Sequence, residues 1–343
     1  MKKINDIISN YNLNISLIEE LNDDNDVYKI SDNTGKLYFL KMYGENGGHD
    51  FMPNENIYHT LEQLKLEQEI LSMLAHSALG TAIPLKNKMD DWVTITDNNP
   101  LLPYAVITSF IEATPMEKST APLNEMAYHA GIAAANLHIE SANKLSQLAN
   151  KRPQKCQDYI RIILQRLSDG IKLGTISSAQ FDILNKCGNV ILNCMHRLDE
   201  NPQRNVGLVH TDIRSANCLY SPNKIIPIDF SRSVFSYYLY DLGEMCAHIG
   251  GAEIQKEILN GYHKIKPFRV GELFAVQAFF VMFLMMVLAE SIEAAENKWR
   301  SDLLIRFENE FCPGLVSGKG IFEFSVTSDI VEEVPPYNTF DGQ

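Results

Sequence analysis

One stretch in the second half of the chain constrains its fold more than any other. Two short apolar runs, Val206 to Val209 and Ile225 to Ile228, flank a polar loop, and each is followed by a carboxylate, Asp212 after the first and Asp229 after the second. Asn217 lies between the two acids. Apolar runs of this length, bounded by polar residues, predict short buried strands that fix the loop. An Asp and an Asn that bind a divalent cation, beside a second Asp that accepts a proton, are the minimal set of groups for phosphoryl transfer.

This stretch resembles two motifs of the protein kinase-like superfamily. Residues 210–217, His-Thr-Asp-Ile-Arg-Ser-Ala-Asn, are similar to its catalytic loop, and residues 228–230, Ile-Asp-Phe, to its metal-binding segment. Ser231 stands where protein kinases have glycine, no Ala-Pro-Glu tripeptide follows, and an Asp-Leu-Gly triplet occupies residues 241–243. These features are typical of the aminoglycoside phosphotransferase and choline kinase branch, which the chain resembles over residues 20–300. Asp and Asn residues that only initiate surface turns are the alternative explanation, but turn formation does not account for the whole set.

The resemblance implies a role for each polar residue of the stretch. Asp212 would accept or orient the proton of the acceptor hydroxyl, and Arg214 would neutralise charge on the transferring phosphoryl group. Asn217 and Asp229 would hold Mg²⁺ that bridges the nucleotide phosphates. The loop would be braced by two residues that do not react, His210 and Asp241.

The N-terminal part of the chain predicts a β-hairpin that carries a lysine. Val27 to Ile30 and Lys36 to Tyr43 are strand-like, and Asp32 to Gly35 between them is a strong turn signal. In the resembled family a lysine at the position of Lys41 contacts the α- and β-phosphates; an outward-facing strand lysine is the alternative. The loop before the hairpin, Leu21 to Asp26, has three acids and no glycine, and its charges would repel phosphate.

An amphipathic helix is predicted over residues 57–76, after a glycine-containing linker. In the resembled family a glutamate from this helix forms an ion pair with the strand lysine and fixes its position. Glu67 is the preferred candidate, with Glu62 and Glu69 as alternatives.

Three further segments predict strands that complete a five-stranded, mostly antiparallel sheet: Ile83 to Leu85, Trp92 to Ile95 and Ala105 to Ile107. Apolar residues at helical spacing in residues 1–20 predict a short leading helix. The resemblance implies that the next residues form a hinge whose main-chain groups, at Ser109 and Ile111, bind a purine base. ATP is the expected nucleotide, and GTP is the alternative because side chains at the hinge say little about which purine is bound.

From residue 123 onward the pattern becomes helical, including Ala127 to His138, Gln157 to Leu167 and Ser178 to Leu198. The apolar segment Phe274 to Ala289 is shorter than the roughly 20 residues that cross a bilayer, so a core helix is predicted and no membrane span. We expect an α+β, bilobal protein kinase-like fold, with a small antiparallel β lobe and a larger helical lobe. The predicted domains are a nucleotide-binding lobe, a catalytic and acceptor-binding lobe and an irregular tail, at residues 1–108, 109–310 and 311–343.

Composition narrows the class of partner. The 343 residues carry a net charge of −13, which disfavours nucleic acid and is compatible with a cationic small molecule or with a charge that only maintains solubility. The N-terminal residues lack the continuous apolar run of a secretory signal, so a cytoplasmic location is expected. Neither a zinc site nor a disulfide framework is indicated by the spacing of the six cysteines, Cys156, Cys187, Cys194, Cys218, Cys246 and Cys312.

Together these features predict a kinase that transfers the γ-phosphoryl group of ATP or GTP to a hydroxyl of a small acceptor, such as an aminoglycoside-like or amino-alcohol compound. Two alternatives remain at this point. A pseudokinase, which binds or scaffolds without turnover, is favoured by the acidic glycine-free loop and disfavoured by the complete set of site residues. A serine/threonine protein kinase is disfavoured because only ten residues separate Phe230 from Asp241, too few for an activation segment. The oligomeric state is not predicted.

Overall fold

The computed structural model describes residues 2–21, 26–44, 59–96, 99–148, 151–294 and 298–321. The chain divides into two compact units. Unit 1 consists of residues 1–114 together with two short later segments, 150–152 and 226–232. Unit 2 contains the remaining residues, 115–149, 153–225 and 233–343.

Unit 1 is built on an antiparallel sheet of five strands in the order β1-β2-β3-β5-β4. Side chains alternate between buried and half-buried along β2 and β3, so that one face of the sheet packs against the first helix around Ile7, Tyr28 and Leu40. The elements of this unit are α1 (Lys2–Ile8), β1 (Ile15–Glu20), β2 (Val27–Asp32), β3 (Leu37–Tyr43), α2 (Leu61–Leu74), β4 (Thr94–Ile95) and β5 (Tyr104–Ser109).

The predicted hairpin between β2 and β3 is confirmed. Asp32 Oδ1 accepts hydrogen bonds from the backbone N–H groups of Thr34 and Lys36, at 2.8 and 3.0 Å. Gly35 has φ +84°, a left-handed conformation that glycine adopts without steric cost. The carboxylate therefore organises the turn that sets the register of the strand carrying Lys41.

Two predictions for the sheet are wrong. Residues 15–20 form β1 and do not extend the leading helix, because Ser9 Oγ and Asn10 Nδ2 both donate to the carbonyl of Asp6, at 2.7 and 2.9 Å, as α1 ends. Ile83 to Leu85 makes only an isolated bridge, between Pro84 and Thr108, because proline has no N–H to donate to a ladder. The sheet has five strands as predicted, but β1 takes the place of Ile83 to Leu85.

Most of unit 2 is helical, and the three helices predicted between residues 127 and 198 are confirmed. The helices are α3 (Leu123–Glu140), α4 (Gln157–Leu173), α5 (Ser178–Asp199), α6 (Pro202–Asn205), α7 (Tyr238–His248), α8 (Ala252–Ile265), α9 (Glu272–Glu290), α10 (Lys298–Arg306) and α11 (Cys312–Val316). The last of these lies within the predicted irregular tail, and residues 322–343 of that tail lie outside the described residues. The predicted α+β class, with one small β-rich part and one larger helical part, is confirmed.

Six short strands form two small sheets that hold the loops of the central stretch. The sheet of order β7-β11-β8 pairs β11 (Val234–Tyr237) antiparallel with β8 (Val206–Val209) and parallel with β7 (Gln154–Lys155). The other sheet, of order β10-β9-β6, contains β10 (Lys224–Pro227), β9 (Cys218–Ser221) and β6 (Thr114–Pro115). The first apolar run predicted as a strand, Val206 to Val209, is β8. The second, Ile225 to Ile228, lies in β10 except for its last residue, Ile228.

Helix α9 is long and apolar enough to cross a membrane by composition alone, with a mean hydropathy of 2.2. Its residues are nevertheless 78% buried within the fold over the most apolar window. Both faces of the helix are covered from Phe274 to Ala289. The helix is therefore apolar on all sides because it lies in the core of unit 2. This agrees with the predicted core helix.

Candidate active site

The predicted site residues are divided between the two units. In unit 2, Asp212, Arg214 and Asn217 lie in the loop between β8 and β9. Asp212 Oδ1 forms an ion pair with Arg214 Nε at 2.9 Å, and its Oδ2 accepts a hydrogen bond from Asn217 Nδ2 at 2.7 Å. Asp212 is 8% exposed. Two donors therefore fix the orientation of a nearly buried carboxylate.

The backbone of this loop is held by Asp241, at the start of α7. Its Oδ2 accepts the N–H of His210 at 2.9 Å, and its Oδ1 accepts the N–H of Thr211 at 2.7 Å. Thr211 has φ +54°, a left-handed conformation that costs free energy for a β-branched residue. Hydrogen bonds to a buried carboxylate stabilise this conformation and turn the next residue, Asp212, to its position. The predicted bracing role of Asp241 is confirmed.

Asp241 is itself held by a buried histidine on α3. His138 Nε2 lies 3.0 Å from Asp241 Oδ2, and His138 Nδ1 lies 3.0 Å from the hydroxyl of Tyr262. Burial lowers the pKa of His138, although Asp241 works in the opposite direction, so the ring is neutral. A carboxylate only accepts, so Nε2 carries the proton and Nδ1 accepts from the tyrosine. His138 thus has a structural role, since it positions Asp241.

In unit 1, Lys41 on β3 forms an ion pair with Asp229, with Nζ and Oδ2 2.9 Å apart. Ser231 Oγ donates to the other carboxylate oxygen, Oδ1, at 2.7 Å. Burial alone would lower the pKa of Lys41, but the charge of Asp229, helped by Tyr43 and Glu67, outweighs it and raises the pKa. Asp229 has φ +61°, so it is a second strained residue in the stretch. Its side chain is fixed by two donors on opposite oxygens.

Glu67 does not form the direct ion pair with Lys41 that the resemblance implies. It lies on α2, 2% exposed, and its Oε2 has no hydrogen-bond partner among the described residues. Burial raises the pKa of Glu67 to about 7 and the charge of Asp229 adds to this, while Lys41 and Arg152 work in the opposite direction. Lys41 therefore pairs directly with Asp229, and Glu67 acts on the lysine only through its charge, at longer range.

Arg152 is a residue of this group that sequence reasoning missed. Its Nη2 donates to the carbonyls of Phe230 and Ser231, at 2.7 and 2.9 Å, and its Nη1 donates to Gln63 Oε1 at 2.8 Å. The guanidinium thus ties helix α2 to the segment that follows Asp229. It is 3% exposed. No motif marks it, because it lies in a short segment between two helices, far in sequence from every group it contacts.

The two hinge candidates lie at the end of β5. Ser109 Oγ accepts the N–H of Ile83 at 2.8 Å, and the Ser109 N–H donates to the carbonyl of Ile83 at 2.7 Å, so Ser109 fixes the neighbouring segment. The carbonyl of Ile111 accepts the N–H of Ala113 at 3.0 Å. The N–H of Ile111 has no hydrogen-bond partner within the described ranges. Residues 22–25 of the predicted acidic glycine-free loop lie outside the described residues.

The model of the phosphotransferase enzyme family APH matches residues 18–273. The chain belongs to this family, which defines it as a phosphotransferase and confirms the class predicted from the resemblance. A comparison with curated proteins finds no match.

Solved structures of three kinases and phosphotransferases share the fold. The amicoumacin kinase hAmiN, in complex with AMP-PNP, Ca²⁺ and Ami, is 17% identical with a TM-score of 0.61, over 94% of this chain and 95% of that one. An aminoglycoside phosphotransferase from Alicyclobacillus acidocaldarius is 14% identical with a TM-score of 0.61, over 90% and 93%. A microcompartment-associated aminopropanol kinase is 16% identical with a TM-score of 0.63, over 93% and 98%. At these identities the likeness establishes the kinase-like fold.

Proposed function

We propose that this phosphotransferase is a cytoplasmic kinase that transfers the γ-phosphoryl group of ATP to a hydroxyl of a small-molecule acceptor. The observation that carries the proposal is the carboxylate of Asp212, nearly buried and held by Arg214 and Asn217 on a loop whose backbone is bonded to Asp241. A carboxylate fixed in this way orients an acceptor hydroxyl and takes its proton as the bond to phosphorus forms.

The donor set fits a hard divalent cation. Asn217 Nδ2 donates to both the backbone oxygen of Asp212, at 3.1 Å, and its Oδ2. The side-chain carbonyl oxygen of Asn217 is therefore free to bind a metal ion. Asp229 contributes carboxylate oxygens, and oxygen-only donors suit Mg²⁺. When bound, Mg²⁺ supplies charge that offsets the negative charge of the phosphates. Asn217 and Asp229 are the residues that we propose as its ligands.

Lys41 is the proposed phosphate ligand. Its pKa is raised, so the side chain is a permanent cation at neutral pH, and Asp229 holds its ammonium group in place. Glu67, through its charge, is proposed to support Lys41.

The unbonded N–H of Ile111 is a suitable donor to a ring nitrogen of adenine, and Ser109 fixes the strand end beside it. A guanine base in GTP is the alternative. Arg214 forms an ion pair with Asp212. We propose that it neutralises charge on the transferring phosphoryl group from this position beside the general base.

The test is an acceptor screen with a metal-site variant. The parent protein, Asp229→Asn and the control Asp302→Asn, which changes an exposed acid on α10, are incubated with MgATP and a panel of aminoglycosides, amino alcohols, serine, homoserine and sugars. Phosphorylated products are detected by mass. We expect product with the parent and the control, and none with Asp229→Asn at an unchanged far-UV circular dichroism spectrum. Absence of product from the parent across the panel, or equal product from Asp229→Asn, contradicts the proposal.

A further inference from the structure

Two of the cysteines form a hydrogen-bonded pair of thiols that the proposed reaction does not use. The side chains of Cys187, on α5, and Cys312, at the start of α11, are hydrogen-bonded to each other. Helix α11 packs against α5, so the pair joins two elements that are far apart in sequence. Both residues are free thiols in this structure. Two sulfur atoms in hydrogen-bond contact need only a short movement to reach the length of a disulfide bond.

The position of Cys312 is set by the helical segment that precedes it. The chain passes from α10 into α11 through a π-helical turn, Phe307–Phe311, which shifts the face that the following residues present. Phe311 is fully buried, and its ring centroid lies 5.8 Å from that of Phe280 on α9. The thiol of Cys312 is therefore held against α5 by core packing.

The two thiols of the pair have unequal surroundings. Cys187 is completely buried, whereas Cys312 is 8% exposed. The S–H of Cys187 donates to Cys312 and lowers the pKa of Cys312 to about 7, helped by the charge of Lys186 and opposed by burial. The same hydrogen bond, together with burial, raises the pKa of Cys187. Cys312 therefore carries the thiolate, the form of cysteine that reacts with oxidants.

The other four cysteines differ from this pair in the state of the thiol. Cys194, Cys218 and Cys246 are buried, and burial raises the pKa of each to about 12. Cys156 is the most accessible of the six, but burial and nearby carboxylates raise its pKa to about 11. Exposure alone would make Cys156 the first site of oxidation, whereas thiolate content favours Cys312.

We propose that Cys187 and Cys312 are a redox-sensitive pair, which hydrogen peroxide oxidises to a disulfide that fastens α11 to α5. The thiolate of Cys312 attacks one oxygen of the peroxide, the O–O bond breaks, and the hydroxide that leaves takes a proton from solvent. The sulfur of Cys187 then attacks the sulfenic acid formed at Cys312. The S–S bond forms as the S–O bond breaks, and the leaving oxygen takes the proton of Cys187 and departs as water. One peroxide is thus reduced to two waters while two thiols are oxidised to one disulfide.

The disulfide adds a covalent link to hydrogen bonds that already hold the end of the described chain. The Gly320 N–H donates to the carbonyl of Gly314 at 3.1 Å, and the Ile321 N–H donates to Gln277 Oε1 on α9. The new bond would close a loop from residue 187 to residue 312, and a link across a long loop restricts the unfolded chain and stabilises the folded one. In a reducing compartment such a bond is transient, as a redox-responsive device requires.

The experiment follows the reduced full-length protein through oxidation by hydrogen peroxide. Parent, Cys187→Ser, Cys312→Ser and the control Cys194→Ser, which changes a buried thiol about two turns further along α5, are oxidised with and without dimedone, a trap for sulfenic acid. Intact mass and peptide mapping under non-reducing conditions identify the products. Thermal unfolding is recorded before oxidation, after it, and after reduction with dithiothreitol.

We expect the parent and Cys194→Ser to lose two hydrogen atoms and to give a cross-link between residues 187 and 312. Cys187→Ser should retain dimedone on Cys312, because it lacks the second thiol, and Cys312→Ser should neither cross-link nor be labelled at Cys187. The oxidised parent should unfold at a higher temperature than the reduced parent, and dithiothreitol should remove the difference. Brief treatment of the reduced parent with iodoacetamide should modify Cys312 about tenfold or more faster than Cys156.

Three results overturn the inference. The first is oxidation or alkylation of the parent that begins at Cys156. The second is a cross-link between other cysteines or between two copies of the chain, or no cross-link at all in the folded parent. The third is an unchanged unfolding midpoint in the fully cross-linked protein, because the disulfide would then not fasten α11 to α5. Alkylation and cross-linking of the parent need no variant, so they decide the question even when a serine variant does not fold.

Discussion

At the residue scale, the site depends on two non-glycine residues in left-handed conformations, Thr211 and Asp229. Thr211 is held by a hydrogen bond from its N–H to Asp241, and the side chain of Asp229 by donors from Lys41 and from its near neighbour Ser231. The catalytic-loop motif predicted which residues carry the chemistry because the motif is local. It did not predict the contacts of Arg152 with Gln63, Phe230 and Ser231, since these depend on three-dimensional proximity that spacing does not encode.

Asp241→Asn tests the stabilisation of the strained loop. An amide retains one acceptor oxygen, but its NH₂ group would face the N–H of His210 or Thr211, so one of the two backbone bonds is lost. We expect the free energy of unfolding to fall by about 1–3 kcal/mol, in the range for a buried donor left unsatisfied. Denaturant titration with Asp302→Asn as control measures this. An unchanged unfolding midpoint in Asp241→Asn would show that the loop does not need this carboxylate.

At the element scale, helices α3 and α8 approach each other at two glycines. A Cβ added at Gly131 would lie 1.9 Å from the carbonyl oxygen of Ile258, and one added at Gly261 would lie 1.9 Å from that of Tyr128. Backbone atoms cannot yield as a flexible side chain does, so this close crossing requires the absence of side chains at both positions. The sequence predicted the helix at residues 127–138, which is part of α3, but not the helix against which it packs.

Gly261→Ala should therefore destabilise the protein strongly, although alanine normally favours a helix. We expect a loss of more than about 2 kcal/mol, because relief of the clash requires the two helices to separate. The control is Gly251→Ala at the start of α8, where an added Cβ meets nothing within 4 Å. Its effect should stay below about 1 kcal/mol, the usual range for a change of N-cap residue. Equal stability of the two variants in thermal and denaturant unfolding would contradict the packing argument.

At the scale of the whole molecule, the fold class, the family and the enzyme class all follow from one stretch of the sequence. The resemblance at His210 to Asn217 and at Asp229 was sufficient because this combination of residues, at these spacings, is typical of one fold. The sheet was harder to predict. Its edge strand β1 has only half-buried Ile15 and Ile18 to mark it, a spacing that a helix shares, and the proline in Ile83 to Leu85 excluded a regular strand.

The central claim is that Asp212 acts on the acceptor hydroxyl in phosphoryl transfer. The most direct test measures MgATP affinity and acceptor phosphorylation together, in the parent, in Asp212→Asn and in the control Asp302→Asn. Because the side chain of Asp212 need not touch the nucleotide, we expect calorimetric titration to give the same Kd for MgATP in all three. The rate of acceptor phosphorylation should fall by about two orders of magnitude or more in Asp212→Asn alone, the usual size of a general-base contribution. An Asp212→Asn variant that phosphorylates its acceptor at the rate of the parent would contradict the account.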